Sequence, residues 1–209
     1  MSVQQTDNGD PEAKIALRRH ALTWAPEKPA VLDLFAGEGH MYREAWKLAC
    51  GRYLGIEKRF RRPAGDPAGE CWRGDNAQLL KRAMAAGPWD VIDLDAYANP
   101  WILLRQVLRL QPARDLVVTA TCSIERAMQT NSSDLAFALL GVGKLASTLY
   151  HSGAPISRWY DDAIRLALAW RQDGSHVRIA DCQRAHARLD VSDPRTRTRY
   201  YAIRYKATG

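Results

Sequence analysis

In residues 30–39, AVLDLFAGEG, a short apolar run leads directly into a turn of small residues. The apolar run predicts a buried β-strand, and Gly37 and Gly39 predict a tight turn into a helix. Such a turn presents backbone N–H groups at the carboxyl end of a strand, which is where open α/β sheets bind their ligands. The segment therefore predicts an α/β sheet with a nucleoside-containing cofactor at this turn, although an ordinary strand-to-helix turn is the alternative.

The glycine spacing limits the identity of that cofactor. A dinucleotide fingerprint requires a third glycine three residues after the second, and Tyr42 occupies that position. S-adenosylmethionine (SAM) has no phosphate and needs only a turn that holds its amino-acid end. We expect Asp33 to face the methionine ammonium, while N–H groups of the following helix face the carboxylate.

Acidic residues also close the next two predicted strands. Residues 52–57, RYLGIE, predict a second strand that ends at Glu57, about 20 residues beyond the turn, where a carboxylate accepts from ribose hydroxyls. Residues 71–76, CWRGDN, predict a third strand that closes on Asp75. We expect Asp75 to accept from the adenine amino group and Asn76 to pack against the ring. For each acid, a helix N-cap or a solvated loop charge is the alternative.

A fourth predicted strand, residues 89–97, carries Asp93 and Asp95 and ends at Tyr97. The lone pair of an exocyclic amine is delocalised into its ring, so the amine attacks a methyl sulfonium poorly unless its N–H groups donate to acceptors. Asp95 and the Ala96 carbonyl are the predicted acceptors, and Tyr97 is predicted to stack on the base. The alternative is a strand-terminal turn with an aromatic plug.

Four segments resemble one family: DLFAGEG (33–39), GDNAQLL (74–80), DVIDLDAYANP (90–100) and LVVTAT (116–121), with a weaker echo in RYYAIRYK (199–206). In them the chain resembles Rossmann-like SAM-dependent methyltransferases, and most closely the tRNA guanine-N2 dimethyltransferases, over most of its length beyond Val31. The resemblance implies a class I fold, a mainly parallel seven-stranded sheet with helices on both faces and a closing antiparallel hairpin. It implies Asp95 and Tyr97 as catalytic residues and a SAM site formed by Asp33, Phe35, Ala36, Gly37, Gly39, Glu57, Asp75, Asn76 and Asp93.

The sequence also departs from that family. The family pattern is Asp-Pro-aromatic-Gly-Ser-Pro, whereas this chain has Ala96, Ala98 and Asn99 at the second, fourth and fifth positions. The family carries a C-terminal tRNA-binding domain that this sequence does not show, which leaves room for a partner subunit that recognises the substrate. The alternatives are therefore a methyltransferase of DNA adenine N6 or of a small-molecule amine, and an inactive subunit that binds SAM or nucleic acid.

Periodicity predicts the organisation of the chain. Residues 1–25 are expected to form an N-terminal helical segment packed on the core, with its helix starting at Asp10 and Pro11 and running to Leu22. Residues 26–209 are expected to form the methyltransferase domain, with an inserted loop or helical region at about 124–155. Further helices are predicted near 41–50, 77–86 and 100–110, and the last strands at 177–180 and 200–206.

Charge favours a polyanionic partner. The chain has 30 Lys and Arg against 23 Asp and Glu, for a formal net charge of +7. The basic residues gather at Arg18 and Arg19, at 58–62 and at 184–206. Such patches bind nucleic acid through counterion release, with RNA favoured and DNA possible, whereas a solvated arginine-rich surface is the alternative.

Cysteine usage and hydropathy predict a cytoplasmic protein without a membrane span or a metal site. Four cysteines are scattered without a Cys-x-x-Cys pair, and there is neither a long apolar run nor an apolar signal region. Cys122 lies just past a predicted fifth strand and follows Thr121, which loosely matches the Thr-Cys context of the nucleophilic thiolate in 5-methylpyrimidine methyltransferases. We favour a small buried thiol at this position.

Overall fold

The structure is a computed structural model that describes residues 10–59, 69–96, 100–111, 113–123, 177–186 and 198–207. The predicted insertion at 124–155 and Tyr97 lie outside these residues. The described strands are β1 (Ala30–Asp33), β2 (Arg52–Glu57), β3 (Glu70–Arg73), β4 (Val91–Leu94), β5 (Leu116–Ser123), β6 (Val177–His186) and β7 (Thr198–Ala207). They form one seven-stranded sheet in the order β3-β2-β1-β4-β5-β7-β6.

The strands from β3 to β5 are parallel to one another, so their carboxyl ends share one edge of the sheet. β7 runs antiparallel to both β5 and β6. The register places Asp33 beside Asp93 and Asp93 beside Thr119. Carboxylates from two neighbouring strands therefore lie next to each other at the centre of the sheet.

The described helices are α1 (Pro11–Leu22), α2 (Asn76–Ala85) and α3 (Trp101–Leu110). α1 begins where the sequence predicts, because Asp10 caps it by accepting the Ala13 N–H at 3.0 Å and Pro11 occupies the first turn. The helix predicted at 41–50 is shorter than expected, with a π-helical segment at Tyr42–Trp46 followed by a turn.

Two predicted strands end earlier than their apolar patterns suggest. β3 stops at Arg73 because Asp75 is the N-cap of α2, whose Ala77 N–H it binds at 3.0 Å. β4 stops at Leu94, and the Ala96 N–H turns back to the Leu94 carbonyl at 2.7 Å. In both cases a local turn bond replaces the ladder bond that would have continued the strand.

Period-two alternation gives the sheet two apolar faces. Val31, Val91 and Val117 point to the face that contains the buried Leu17 and Ala21 of α1. Their neighbours Leu32, Ile92 and Val118 point to the opposite face, where they pack with these residues of α2 and α3: Leu80, Ala83, Leu104 and Val107. Because Asp93 has the parity of Val91, its side chain lies under α1.

None of the helices in the described ranges is long and apolar enough to cross a bilayer.

Candidate functional site

The turn after β1 presents bare backbone at the carboxyl edge of the sheet. Gly37 has φ +52° and Gly39 φ +77°, which are left-handed conformations that glycine adopts without strain. The Ala36 N–H binds the Ile56 carbonyl at 3.0 Å, which ties the turn to β2. A Cβ built on Gly37 would have the Phe35 carbonyl oxygen as its nearest neighbour, at 3.9 Å. The surface above Gly37 is therefore open to a ligand.

Gly55 in β2 allows the turn to lie this close to the strand. A Cβ at position 55 would come within 2.8 Å of the Ala36 Cβ and 3.1 Å of the Tyr53 hydroxyl. Ala36 is itself buried, and Phe35 is partly buried against the core. Phe35 and Ala36 therefore fix the position of the turn, and Gly37 and Gly39 form its open surface.

Glu57 joins the carboxyl ends of three strands. Its Oε2 accepts the Gly37 N–H at 3.1 Å, and its Oε1 accepts the Arg59 N–H at 2.8 Å. Its own carbonyl accepts from Gly74, just beyond β3, at 3.1 Å. The carboxylate predicted to bind ribose thus lies against the glycine turn.

Asp75 and Asn76 lie next to Glu57 at the start of α2. Lys58 contacts Asp75 at 3.2 Å and, together with the Ala77 N–H, lowers the pKa of the Asp75 carboxyl. Asn76 Oδ1 is buried and has no hydrogen-bond partner among the described residues. A buried amide oxygen without a donor, beside a turn whose surface is open, is suited to the amino group of an adenine ring. These residues fit an adenosyl group.

Asp33 lies beneath the turn and is 1% exposed. Its Oδ1 accepts the Phe35 N–H at 3.0 Å and its Oδ2 accepts the Tyr53 hydroxyl at 2.9 Å. Burial and the nearby charge of Asp93 raise the pKa of Asp33 to about 8, against the opposing effect of those two hydrogen bonds. Both oxygens that were expected to face the methionine ammonium are thus engaged inside the fold.

Asp93 lies in a buried ion pair instead of at the surface of the turn. Arg18 of α1 contacts it through Nε at 2.6 Å and Nη2 at 2.7 Å, and Trp46 Nε1 lies 3.3 Å from its Oδ2. Arg18 is 1% exposed and Asp93 is fully buried. The expected cofactor ligand is therefore a structural carboxylate whose oxygens α1 and the π-helical segment occupy.

Asp95 follows β4 at the same edge of the sheet, where Lys14 Nζ lies 2.9 and 3.1 Å from its two oxygens. Arg18 Nη2 lies 3.5 Å from its Oδ2. Burial by itself raises the pKa of Asp95, but the charges of Arg18 and Lys14 outweigh it and the net shift is downward. The carboxyl is consequently ionised at neutral pH and acts only as a hydrogen-bond acceptor.

The structure divides the predicted site residues into two groups. Glu57, Asp75 and Asn76 surround the glycine turn, whereas Asp33, Asp93 and Asp95 lie on the face that α1 covers. The two groups meet at the turn, since the Leu34 N–H donates to the Asp93 carbonyl at 3.0 Å.

Two cations of α1 belong to this site although the sequence pattern did not predict them there. The prediction that Arg18 lies in a surface patch for a polyanion is wrong, because its side chain is buried against Asp93. The buried residues of α1 are Lys14, Leu17, Arg18 and Ala21, a complete helical stripe of spacing three and four. Two cations inside an otherwise apolar stripe were the available signal that α1 covers carboxylates.

Of the other predicted basic residues, Lys58 and Arg59 are exposed near the glycine turn. Arg61, Arg62, Arg188, Arg195 and Arg197 lie outside the described residues, as does Tyr97.

A cavity of about 410 Å³ opens at the opposite edge of the sheet, lined by residues that include Trp24, Asp90, Arg114 and Arg204. Its charges are mostly matched within the protein, since Arg114 pairs with Asp90 and Lys206 with Asp115. The cavity is separate from the glycine turn because Asp90 and Arg114 lie at the amino ends of β4 and β5, and the turn lies at the carboxyl ends of the parallel strands.

The fold is shared with solved structures at very low sequence identity. SMU.776, a "putative methyltransferase complexed with SAH", is 12% identical with a TM-score of 0.55, over 90% of this chain and 48% of its own. The "putative methyltransferase yhhF" from Escherichia coli is 12% identical with a TM-score of 0.50, and the match covers 95% of this chain and 86% of that protein. A "putative hemolysin" from Streptococcus thermophilus is 7% identical with a TM-score of 0.60, and the match covers 100% of this chain and 70% of that protein.

The chain thus spans about half the length of SMU.776. It matches no protein-family model and no curated protein. At these identities the comparisons establish the α/β fold.

Proposed function

We propose that this chain is a SAM-dependent N-methyltransferase that acts on an exocyclic amine of a nucleic-acid base, with guanine N2 in tRNA or another RNA as the favoured substrate. The observation that carries the proposal is the position of Asp95. It is an ionised carboxylate at the carboxyl end of β4, one strand away from an open glycine turn that fits an adenosyl group.

The cofactor assignment rests on the residues around the turn. Gly37 and Gly39 leave room for the amino-acid end of SAM, Glu57 is placed for the ribose hydroxyls, and Asp75 and Asn76 for the adenine. Asp33 and Asp93 support this site from below, by shaping the turn and by anchoring Arg18. SMU.776, which has the same fold, is complexed with SAH, the demethylated product of SAM. That complex favours SAM as the ligand of this turn.

SAM held at the turn would supply an electrophilic methyl group: the amine nitrogen would form the new bond to that carbon, and sulfur would keep the electron pair of the broken carbon–sulfur bond. Asp95 accepts an N–H of the amine and orients the nitrogen lone pair toward the methyl carbon. The nitrogen must finally lose a proton. Because the pKa of Asp95 is lowered, the carboxylate is a weak base, and the proton passes to water.

Two further contacts complete the proposed base site. The Ala96 carbonyl is the second acceptor for the amine, and Tyr97 stacks on the ring, a contact that contributes about 1–3 kcal/mol for a base on an aromatic side chain. Exposed Lys58 and Arg59 lie at the same edge of the sheet and are suited to phosphate groups. RNA is preferred to DNA on the resemblance of residues 90–100 to the tRNA guanine-N2 enzymes.

The proposal is tested by methyl transfer from labelled SAM to separate pools of tRNA, rRNA and DNA, each incubated with the wild type, with Asp95→Asn and with Asp115→Asn. Asp115 is a matched control because it is exposed, pairs with Lys206 and lies at the opposite edge of the sheet. We expect incorporation into RNA, a loss of at least a hundredfold in Asp95→Asn, and little change in Asp115→Asn.

The other outcomes separate the alternatives. Incorporation into DNA alone rejects RNA as the substrate, and incorporation into a small amine alone rejects nucleic acid. Binding of the demethylated product of SAM without transfer to any pool, with or without added cell extract, identifies an inactive binding subunit.

A further inference from the structure

We propose that Lys14 and Arg18 of α1 determine which amines the site accepts, because their two positive charges balance the carboxylates of Asp93 and Asp95. A site balanced in this way takes a neutral aromatic amine and excludes an aliphatic ammonium. The inference rests on the proposed function, since it specifies the substrate class of the same carboxylate.

The ion pairs form one continuous cluster. Arg18 contacts Asp93 at 2.6 and 2.7 Å and reaches Asp95 at 3.5 Å, while Lys14 contacts both oxygens of Asp95. The side chains of Lys14 and Asp95 are only 10% and 13% exposed, so solvent screens their charges weakly. Lys14 also lies over the ring of Tyr200, 5.7 Å from its centroid. The ammonium is thus held between a carboxylate and an aromatic face.

Among the residues that the structure describes, the groups that face Asp95 come from four elements. α1 supplies the two cations, β4 supplies Asp93, and β5 supplies the Thr121 hydroxyl. β7 supplies Tyr200, whose hydroxyl accepts the Asp10 N–H at 3.0 Å and whose pKa burial raises to about 12. Tyr200 is therefore neutral at pH 7, and it adds no charge to the balance.

This balance discriminates between two kinds of amine. A carboxylate has about four acceptor positions, so Lys14 leaves lone pairs on both oxygens of Asp95 for the N–H of a neutral amine. An aliphatic amine arrives protonated at pH 7, and a third cation beside Lys14 and Arg18 is repelled. The exocyclic amine of a nucleobase is neutral at this pH, and it can bind without displacing Lys14.

The experiment compares the wild type with Lys14→Met, which removes the charge and keeps an apolar stem, and with Lys14→Arg, which keeps the charge. Lys81→Met is the control, since Lys81 is an exposed lysine of α2. Binding of propylammonium and of neutral guanosine is measured by NMR at saturating SAH. The Asp95 carboxyl is titrated by ¹³C NMR, with Asp95→Asn used for assignment.

We expect Lys14→Met to bind propylammonium on the order of tenfold more tightly than the wild type does, with guanosine affinity changed by about twofold or less. The Asp95 titration should move to higher pH. Lys14→Arg and Lys81→Met should behave as the wild type, and Lys14→Gln, a second neutral variant, should behave as Lys14→Met.

Unchanged propylammonium affinity in both neutral variants would overturn the inference, as would an Asp95 titration that does not move. Wild-type methylation of an aliphatic amine in preference to RNA would overturn it as well. If the ammonium affinity changes as expected but no RNA or DNA pool is methylated, the inference about charge stands and the proposed function fails.

Discussion

Arg18 holds Asp93 by two parallel contacts of 2.6 and 2.7 Å, although 75 residues separate them in the sequence. Both side chains are almost fully buried, and the pair forms because α1 packs against β5, β7 and the π-helical segment, which brings Arg18 next to β4. Burial alone would lower the pKa of Arg18, but the charges of Asp93 and Asp95 raise it. The pair therefore links the position of α1 to the charge state beside the candidate site.

Replacing Arg18 with Met is expected to lower the free energy of unfolding by about 3–5 kcal/mol, because it leaves the Asp93 carboxylate buried without its partner. Urea unfolding measures the change. The exposed Arg19→Met is the matched control and should change the stability by less than about 1 kcal/mol. Adding Asp93→Asn to Arg18→Met should recover much of the loss, and no recovery would argue against an unpaired charge as its cause.

Asp33 should give the protein a stability that declines with rising pH. Its pKa is about 8 in the folded protein, against about 3.9 in an unfolded chain. The folded state therefore holds the proton more tightly, and the stability gained below pH 4 is lost as the pH rises through 8. Between pH 5 and pH 8, the wild type should lose stability relative to Asp33→Asn, whose amide oxygen still accepts the Phe35 N–H.

Urea midpoints of the two proteins across that range provide the measurement. Asp115→Asn serves as the control because the pKa of the exposed Asp115 is lowered by Lys206, which places its titration below the range. A constant difference between wild type and Asp33→Asn would show that Asp33 does not titrate between pH 5 and pH 8.

Gly37→Ala should weaken cofactor binding. The added Cβ meets no close neighbour, but φ +52° is strained for alanine by roughly 1–2 kcal/mol. We expect the free energy of unfolding to fall by that amount. We also expect the affinity for SAH, measured by calorimetry, to be about tenfold weaker, because relaxing the strain moves the backbone N–H groups that face the ligand. Glu38→Ala, next to it on the exposed surface, should bind SAH as the wild type does. Equal SAH affinities of the wild type, Gly37→Ala and Glu38→Ala would show that the turn does not contribute to cofactor binding.

Glu57→Gln should weaken SAH binding by about tenfold or more while the fold remains stable. The amide oxygen still accepts one backbone N–H, but the charged acceptor for two ribose hydroxyls is lost. Calorimetry with SAH measures the effect, with Glu70→Gln on β3 as the control. A drop in unfolding free energy that accounts for the whole loss of binding would mean that Glu57 serves only to hold the turn.

Local sequence was enough to predict many of the elements. The limits of β2 match the prediction at 52–57, and α1 runs from Pro11 to Leu22 as expected. Both follow from interactions within a few residues, namely the apolar run of a buried strand and the Asp10 cap. The ends of β3 and β4 were predicted less well, because the Asp75 cap and the Ala96 turn bond compete with strand pairing.

Turn chemistry and short-range periodicity act along the chain, so sequence alone was enough to predict that five residues lie at or just after strand ends: Gly37, Gly39, Glu57, Asp75 and Asp95. Which of the acids are accessible depends instead on how α1 packs on the sheet. Asp33 and Asp93 became internal because the pleat points them under α1, and Lys14 and Arg18 reach Asp95 only after α1 packs on the sheet. The charge around a carboxylate depends on which side chains folding brings near it through space, and these two cations come from a helix more than 70 residues earlier in the chain.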